Sequence, residues 1–587
     1  MNTIASQLDA AFRNAIRAAF DIDADPLVSP SQTDKFGDYQ SNAAMGLSKL
    51  VAEKTGQKTN PRAVAEAILA KLDLGDMTAT PPDKSWIAGP GFINIKLSPA
   101  WLGKQLTAVA GDERLGVENV ASPQTVVIDY SGPNIAKELH VGHLRSTIIG
   151  DACSRVIEFQ GHKMIRQNHL GDWGTQFGML IANLQDKTAG GPGDTKLSDL
   201  EAFYVEAKKR FDADPAFQER ARQNVVKLQG GDPDALAMWR TLVDKTRDSY
   251  LPLYRRLGVL LTPEHERGES FYNSLLKAVV DDLKSAGVAT ESEGATVVFI
   301  EGYENPLIIE KSGGGFLYGT TDLAAVRYRI ADLKADRVVY FVDARQSQHF
   351  QQVFAAAAKA GWTTKPDGTK VDLYHAAFGT MLGADGKPFK TKTGGTVKLK
   401  DLLDEAEERA AAIVKDNIDL SAEQKAEVAK AVGIGAVKYA DLAKDRTSDY
   451  AFSFDAMLAL EGNTAPYMQY AYARVRSIFR KAAERGIAYA GLAATAIAPE
   501  TSQEVALAKQ ILRLGEVIEI VGRELKPHLL CAYLYELAGK YSTFYEACPV
   551  LTSEEPTRSS RLALADLTAR TLGLGLDLLG IEHPEQM

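Results

Sequence analysis

The sequence predicts a multidomain α/β protein: a small N-terminal α/β module, a doubly wound parallel-sheet domain and an all-α C-terminal bundle. Three observations carry that reading. At 587 residues the chain is too long for one hydrophobic core, so about two to four domains are expected. Between about 121 and 400, apolar strand-like runs alternate with helical stretches. Thr125 to Tyr130, Lys163 to Asn168, Ala295 to Glu301 and Arg337 to Val342 are such runs, the pattern of a parallel sheet covered on both faces. From Leu402 onward almost every segment is helical, punctuated by Pro466, Pro527, Pro549 and Pro556, with no strand signal.

Taken in order, residues 1–120 open with helical periodicity over Ile4 to Phe20 and again over Ala43 to Lys54. The run ending Gly89-Pro-Gly-Phe-Ile-Asn-Ile-Lys-Leu97 alternates as a strand does. Between the helices, the loop Lys35-Phe-Gly-Asp-Tyr-Gln-Ser-Asn42 combines two aromatics, Phe36 and Tyr39, with amides such as Gln40. That chemistry suits stacking on, and hydrogen bonding to, an unpaired base. The competing reading is that Phe36 and Tyr39 anchor the loop to its own core, and spacing alone favours it. The central region, 121–455, carries a long helical insertion that begins at Thr188-Ala-Gly-Gly-Pro-Gly-Asp194 and runs to about 285. The helical remainder, 456–587, completes the chain, and no internal repeat is found.

Composition restricts the function classes. A chain 45% hydrophobic and 24% charged, without low-complexity tracts, reads as an ordinary globular enzyme. No apolar run reaches the length of a bilayer span, and the first residues lack the layout of a signal peptide, so no membrane partner is expected. Three scattered cysteines, with no Cys-x-x-Cys pair, argue for a reducing, cytoplasmic setting and against a structural zinc site. A net charge of −9 argues against non-specific DNA or RNA binding, which phosphate neutralisation drives; it leaves room for one folded RNA met by local patches.

The chemistry concentrates after Tyr130. An apolar strand runs into the turn Gly132-Pro-Asn134, and a helix then opens with His140 and His143 on one face. Gly142 leaves no side chain between them, so a large ligand can approach the backbone. A helix N-terminus offers unpaired N–H groups and a positive dipole end. Two imidazoles, bare amides and the nearby Lys137 make a place to bind ATP and stabilise charge on an attacked α-phosphate. A metal site is the alternative for His-x-x-His, but no third ligand stands at metal spacing beside it.

The longer string Ser131-Gly-Pro-Asn-Ile-Ala-Lys-Glu-Leu-His-Val-Gly-His-Leu-Arg-Ser-Thr-Ile-Ile-Gly-Asp151 resembles the signature of class I aminoacyl-tRNA synthetases, in the form carried by the arginyl enzymes. Further segments extend the likeness along essentially the whole chain. In Ser312-Gly-Gly-Gly-Phe-Leu-Tyr-Gly-Thr-Thr-Asp322, a carboxylate can accept two parallel N–H bonds from a guanidinium, which an ammonium cannot reproduce. The resemblance assigns Tyr318 and Asp322 to an arginine side-chain pocket, with Asp129 as a second acid; from sequence alone Asp322 reads as the N-cap of a helix Leu323 to Leu333. In Phe341-Val-Asp-Ala-Arg-Gln-Ser-Gln-His-Phe350, directly after a strand, Gln346 resembles the family's substrate-binding glutamine; Gln348 and His349 are adjacent candidates, with a helix cap or a supporting contact as their alternative. The usual Lys-Met-Ser-Lys-Ser loop is absent, and Pro388-Phe-Lys-Thr-Lys-Thr393 stands in its place. Lys387, Lys390 and Lys392 form a cationic arm suited to the β- and γ-phosphates, and the resemblance implies that Lys137 compensates for the missing second lysine.

In the bundle, Tyr467, Tyr470 and Arg474 share a helical face in the segment similar to the family's anticodon-domain opening. Two readings stand for the tyrosines, an RNA platform or core. The resemblance further implies a Rossmann-type catalytic domain and an N-terminal domain on the tRNA corner. It implies ATP-dependent activation of L-arginine to arginyl-adenylate, with Mg²⁺ on the phosphates, and transfer to the 2′-hydroxyl of tRNA(Arg). His140, His143 and Lys137 would stabilise the α-phosphate, and Ser131, Asn134 and Gln346 would position arginine's amino and carboxylate ends. Monomeric state, no editing domain and activation only with tRNA bound are the remaining family expectations. A catalytically silent paralogue would lack one of these acids or histidines, and a small-molecule nucleotidyltransferase leaves both flanking domains unexplained. A cysteinyl sister enzyme would show zinc-ligand cysteines.

Overall fold

A computed structural model describes residues 3–31, 33–174, 176–188, 200–383, 385–389, 397–415, 420–489, 491–492 and 495–587. The first helix, Ile4–Phe20, starts where predicted because Thr3 and Ser6 satisfy each other's backbone N–H groups as a capping box, and it buries Leu8, Phe12 and Ile16. Helices Ala43–Thr55 and Pro61–Leu69 follow; the second starts at an Asn60 cap with proline in its first turn. These helices accompany a four-stranded antiparallel sheet in the order Val28–Pro30, Tyr39–Ser41, Phe92–Ile95, Ile87–Ala88.

The central sheet has the order Asp372–His375, Arg337–Tyr340, Thr125–Asp129, Lys163–Gln167, and every pair is parallel. Successive connections leave the Thr125–Asp129 strand toward opposite sides, so a switch point lies between it and Arg337–Tyr340. Ligands of open α/β sheets bind at such a crevice, beyond the carboxyl ends of the strands. Ala295–Val298, expected in this sheet, belongs instead to a three-stranded antiparallel sheet with Thr290–Ser292 and Leu307–Glu310. The reason is local. Glu293 and Gly294 form a two-residue turn with both φ angles positive, and a link that short can only return the chain antiparallel. The helical stretch after Leu402 is likewise interrupted by a two-residue strand, Tyr450–Ala451, paired with Met381–Leu382.

The insertion comprises helices Leu200–Ala213, Pro215–Gln229 and Pro233–Arg256; its Gly/Pro-rich opening, 189–199, lies outside the described residues. Helices Ala465–Glu484, Ser502–Leu512, Leu514–Glu524, His528–Ala547 and Thr557–Leu578 form the terminal bundle. Among the described residues no helix is long and apolar enough to cross a membrane.

The N-terminal module docks on this bundle through the predicted loop. Tyr39 is only 2% exposed, and its hydroxyl donates to Glu516 Oε1 at 2.7 Å; Asp38 pairs with Lys509 at 2.5 Å. The ring of Tyr39 is therefore core and not a stacking surface, because the alternation of a strand turns it inward. Phe36, on the preceding turn, stays 38% exposed. Removing the Tyr39 hydroxyl leaves a buried carboxylate one donor short. Tyr39→Phe is expected to lower stability by about 1–3 kcal/mol, read as a lower urea midpoint for the transition that includes the domain contact.

Candidate active site at the sheet switch point

The segment after Asp129 coils tightly over the strand ends. Ser131 and Ala136 hold positive φ angles of 77° and 62°, a region L-residues enter only when their surroundings impose it. The imposing contacts come from neighbouring helices. The Ser131 N–H donates to Ser146 Oγ at 2.9 Å, and the Ser131 hydroxyl shares a 2.6 Å hydrogen bond with Tyr254. The Ala136 N–H donates to Thr246 Oγ1 at 2.9 Å. Tyr254 and Thr246 both lie on the insertion helix Pro233–Arg256.

His140 caps the helix Val141–Phe159: its Nδ1 accepts from the Gly142 N–H at 3.0 Å, and His143 Nδ1 accepts from the His140 N–H at 3.2 Å. The two rings lie 4.0 Å apart. A ring nitrogen that accepts a backbone N–H carries no proton itself, so each neutral imidazole keeps its hydrogen on Nε2. Burial, the neighbouring imidazole and Lys137 push His143 down to about 3, opposed by its backbone hydrogen bond; burial and then Lys137 lower His140. Both rings are therefore neutral donors at physiological pH. A Cβ on Gly142 would stand 2.7 Å from the His140 ring, which explains the glycine between them. Lys137 is exposed, with its ammonium 4.9 Å over the ring of Tyr204 from the insertion.

The described residues on either side of the cationic segment are both anchored. Its leading hairpin is closed by Gly383 N–H to Lys387 O at 2.7 Å, with Lys387 exposed and Phe389 packed on Phe452. Lys390 and Lys392 lie outside the described residues. Beyond them the chain pairs with the histidine motif itself: Val141 N–H donates to Val397 O at 3.1 Å and Leu399 N–H to Leu139 O at 2.9 Å. Both ends of the lysine segment are thus anchored, the far one beside His140.

A cluster of acids forms another wall. Asp322 lies one turn inside the helix Tyr318–Ala331, so it does not cap it; His349 Nε2 meets its Oδ2 at 2.5 Å, and that hydrogen bond raises the His349 pKa. Glu269 is pushed up to about 8 by burial, then by the charges of Asp172 and Asp322. No cation among the described residues pairs with it. Tyr318, 70% exposed at the helix start, is raised by burial and by the facing Glu269. Gln346 is exposed on the turn Ala344–Gln346 after the strand Arg337–Tyr340, and Asn134 is exposed on the coil before His140.

Two expected members stand apart. Asp129 is already engaged: its Oδ2 pairs with the fully buried Arg329 at 2.7 Å and its Oδ1 accepts from the His169 N–H. The Ser131 hydroxyl is likewise turned into the protein, toward Tyr254 and Thr147. Conversely, sequence reading missed Glu269, Tyr254 and Thr246. They sit on or after a helical insertion with no motif of its own, and only spatial proximity marks them.

In the bundle, Tyr470 is 46% exposed, Tyr467 is half-buried against Tyr535 with centroids 5.8 Å apart, and the Arg474 guanidinium lies 5.1 Å over Tyr545. A cleft of about 860 Å³ between this bundle and the N-terminal module is lined by Tyr467, Tyr535, Lys509, Arg513 and Lys540. Gln40 faces its neighbouring strand, donating to Asn94 Oδ1 at 2.7 Å.

Known proteins match this arrangement along the whole chain. Residues 105–454 match the family described as tRNA synthetases class I (R), catalytic domain; residues 6–97 match the arginyl tRNA synthetase N terminal domain, and 468–587 the DALR anticodon binding domain. The chain is 54% identical over 576 residues to the arginine–tRNA ligase of Cellvibrio japonicus, covering 96% of each. The crystal structure of arginyl-tRNA synthetase from Plasmodium falciparum superposes with a TM-score of 0.86 at 31% identity, and that from Thermus thermophilus with 0.83 at 26%, each covering 100% of both chains. With the signature loop, the acid wall and both flanking domains in one continuous match, the chain belongs to the class I arginyl-tRNA synthetases.

Proposed function

We propose that this site performs the arginine–tRNA ligase reaction in two steps. The arginine carboxylate oxygen attacks the α-phosphorus of ATP, a P–O bond forms, and the α–β bridge breaks to release pyrophosphate. The 2′-hydroxyl of the terminal adenosine of tRNA(Arg) then attacks the carbonyl carbon, and AMP leaves. The carrying observation is the pair of neutral, self-capped imidazoles together with an acid wall whose Glu269 has no cationic partner among the described residues. The Nε2–H groups of His140 and His143, with Lys137, stabilise charge that develops on the α-phosphate without having to reorganise. Lys387, Lys390 and Lys392 escort the pyrophosphate. Mg²⁺ would accompany ATP and neutralise charge on its phosphates; among the described residues no group of three His, Cys, Asp or Glu side chains is arranged to hold a metal.

Glu269 and Asp322 receive the guanidinium, with Tyr318 across its face. Asn134 and Gln346 hold the amino and carboxylate ends, and Asp129 and Ser131 shape the floor beneath through the contacts they already make. A planar fork meeting two carboxylates excludes lysine and citrulline, because either leaves buried charge unpaired. The three parts divide the work at boundaries near 120 and 455: Phe36 meets the tRNA corner, with Gln40 held beside it by Asn94, and Tyr467, Tyr470 and Arg474 meet the anticodon arm. The enzyme works as a cytoplasmic monomer.

Arginine-dependent ATP–pyrophosphate exchange, run with and without tRNA(Arg), tests the reading. Exchange with arginine, and not with lysine or citrulline, is the expected result, and it should require tRNA. A folded, tRNA-binding chain that exchanges nothing under either condition overturns it.

The acid wall makes a second prediction. Glu269 is largely protonated at pH 7 in the free enzyme, and a bound guanidinium requires the carboxylate. Arginine binding should therefore release about one proton at pH 7, and affinity should rise with pH and level off above about 8. Calorimetry in buffers of different ionisation enthalpy reads this directly. The folded chain holds this proton over a range where the unfolded chain has lost it, so Glu269's contribution to folding stability falls as pH rises from the ordinary glutamate range through 8. Glu269→Gln is expected to raise the arginine KM by about 30-fold or more, about 2 kcal/mol, and to abolish the proton release.

A further inference from the structure

Two helices from different parts of the chain end against each other. The insertion helix Pro233–Arg256 closes at Leu257 and Gly258, and the last helix, Thr557–Leu578, closes at Gly580. Both ends turn on a left-handed glycine, with Val259 N–H bonded to Tyr254 O and Ile581 N–H to Leu576 O, each at 2.9 Å. Two negative helix ends in contact repel one another. Two buried or half-buried cations, each from a third element, offset that repulsion. Lys438 donates to Leu257 O at 2.6 Å and to Gly580 O, and it is 1% exposed. Arg155 donates to Gly258 O at 2.5 Å and Asp577 O at 3.4 Å, and its Nε is held by Asp151 at 2.8 Å. A Cβ on Gly580 would lie 2.8 Å from the Lys438 ammonium and 3.1 Å from Arg155 Nε, so the glycine is seated between the cations.

Each partner of this joint leads to a functional part. Arg155 belongs to the helix that His140 caps. Tyr254, one turn before Leu257, holds the Ser131 hydroxyl, and Thr246 on the same helix holds the Ala136 N–H, both at positive-φ positions of the signature loop. The last helix packs in the bundle against Ala465–Glu484, which carries Tyr467, Tyr470 and Arg474. We propose that Lys438 and Arg155 are positioning residues that couple tRNA on the helical domain to the arginine-activating site, by fixing the insertion helix end to the last helix. The proposal rests on the ligase reading above. Burial draws the Lys438 ammonium down to about 8; Asp151 and Glu582 oppose that and Arg155 adds to it. Lys438 therefore loses its charge as pH rises through that value, while Arg155 keeps its own.

The test uses the full-length enzyme and its Lys438→Met, Lys438→Arg and Gly580→Ala variants. Filter binding of tRNA and tRNA-dependent exchange at saturating arginine are measured from pH 7 to 9.5. Lys438→Met should bind tRNA within about 2-fold of wild type and lose about 10-fold in kcat at unchanged arginine KM, a loss that Gly580→Ala shares and Lys438→Arg largely restores. Wild-type kcat should fall above about pH 8, and the fall should move to higher pH in Lys438→Arg. A folded Lys438→Met that exchanges like wild type overturns the coupling alone. If that variant does not fold, superimposable pH profiles for wild type and Lys438→Arg overturn it. A wild-type enzyme that exchanges nothing with tRNA present overturns the ligase reading and this proposal with it.

Discussion

The self-capped head of the helix Val141–Phe159 constrains everything built around it. A helix start leaves backbone N–H groups without partners, and here imidazole Nδ1 atoms take two of them. The same bonds fix the rings 4.0 Å apart and set their tautomer, while burial keeps them neutral beside Lys137. The two Nε2–H donors are thus a by-product of satisfying the helix. Satisfying the helix also explains why Val397 and Leu399 pair with the residues flanking His140: backbone groups at the helix start bond to them.

Charge is arranged around that head in layers. Beneath it, Asp129 and Arg329 form a fully desolvated pair, and Arg145 from the same helix pairs with the buried Asp441 at 3.0 Å. Such pairs contribute little net stability, but removing one partner strands the other and costs about 3–5 kcal/mol, so they fix geometry more than they add strength. Above it, Glu269 crowds against Asp172 and Asp322; Asp322 is met by His349, and Glu269 has no cationic partner among the described residues. The contrast separates an acid with a cationic partner from one without. Asp129 is satisfied by its own chain; burial and neighbouring carboxylates raise the Glu269 pKa, and no cation among the described residues pairs with it.

The insertion makes the site a shared construction. Tyr204 lies under Lys137, Thr246 and Tyr254 shape the signature loop, and Glu269 follows the insertion's last long helix. A catalytic centre made this way is sensitive to displacement of helices that carry no reacting group, which is the setting in which the Lys438–Arg155 joint acquires meaning.

What the sequence alone determined is whatever local chemistry dictates. The alternating runs, the Thr3 and Asn60 caps and the prolines of the bundle set the elements, and an unbroken string from Ser131 to Asp151 marked the candidate site. Adjacent residues share a backbone, so spacing places His140 and His143 on one face without further information. Tertiary structure decided the rest. Whether Ala295–Val298 joined the parallel sheet depended on a two-residue turn; whether Tyr39 met RNA or core depended on a glutamate at position 516. Which acids stayed free for a guanidinium depended on Arg329 reaching Asp129 first. A side chain's partner across hundreds of residues is set by packing, and packing leaves no periodicity in the chain to be read.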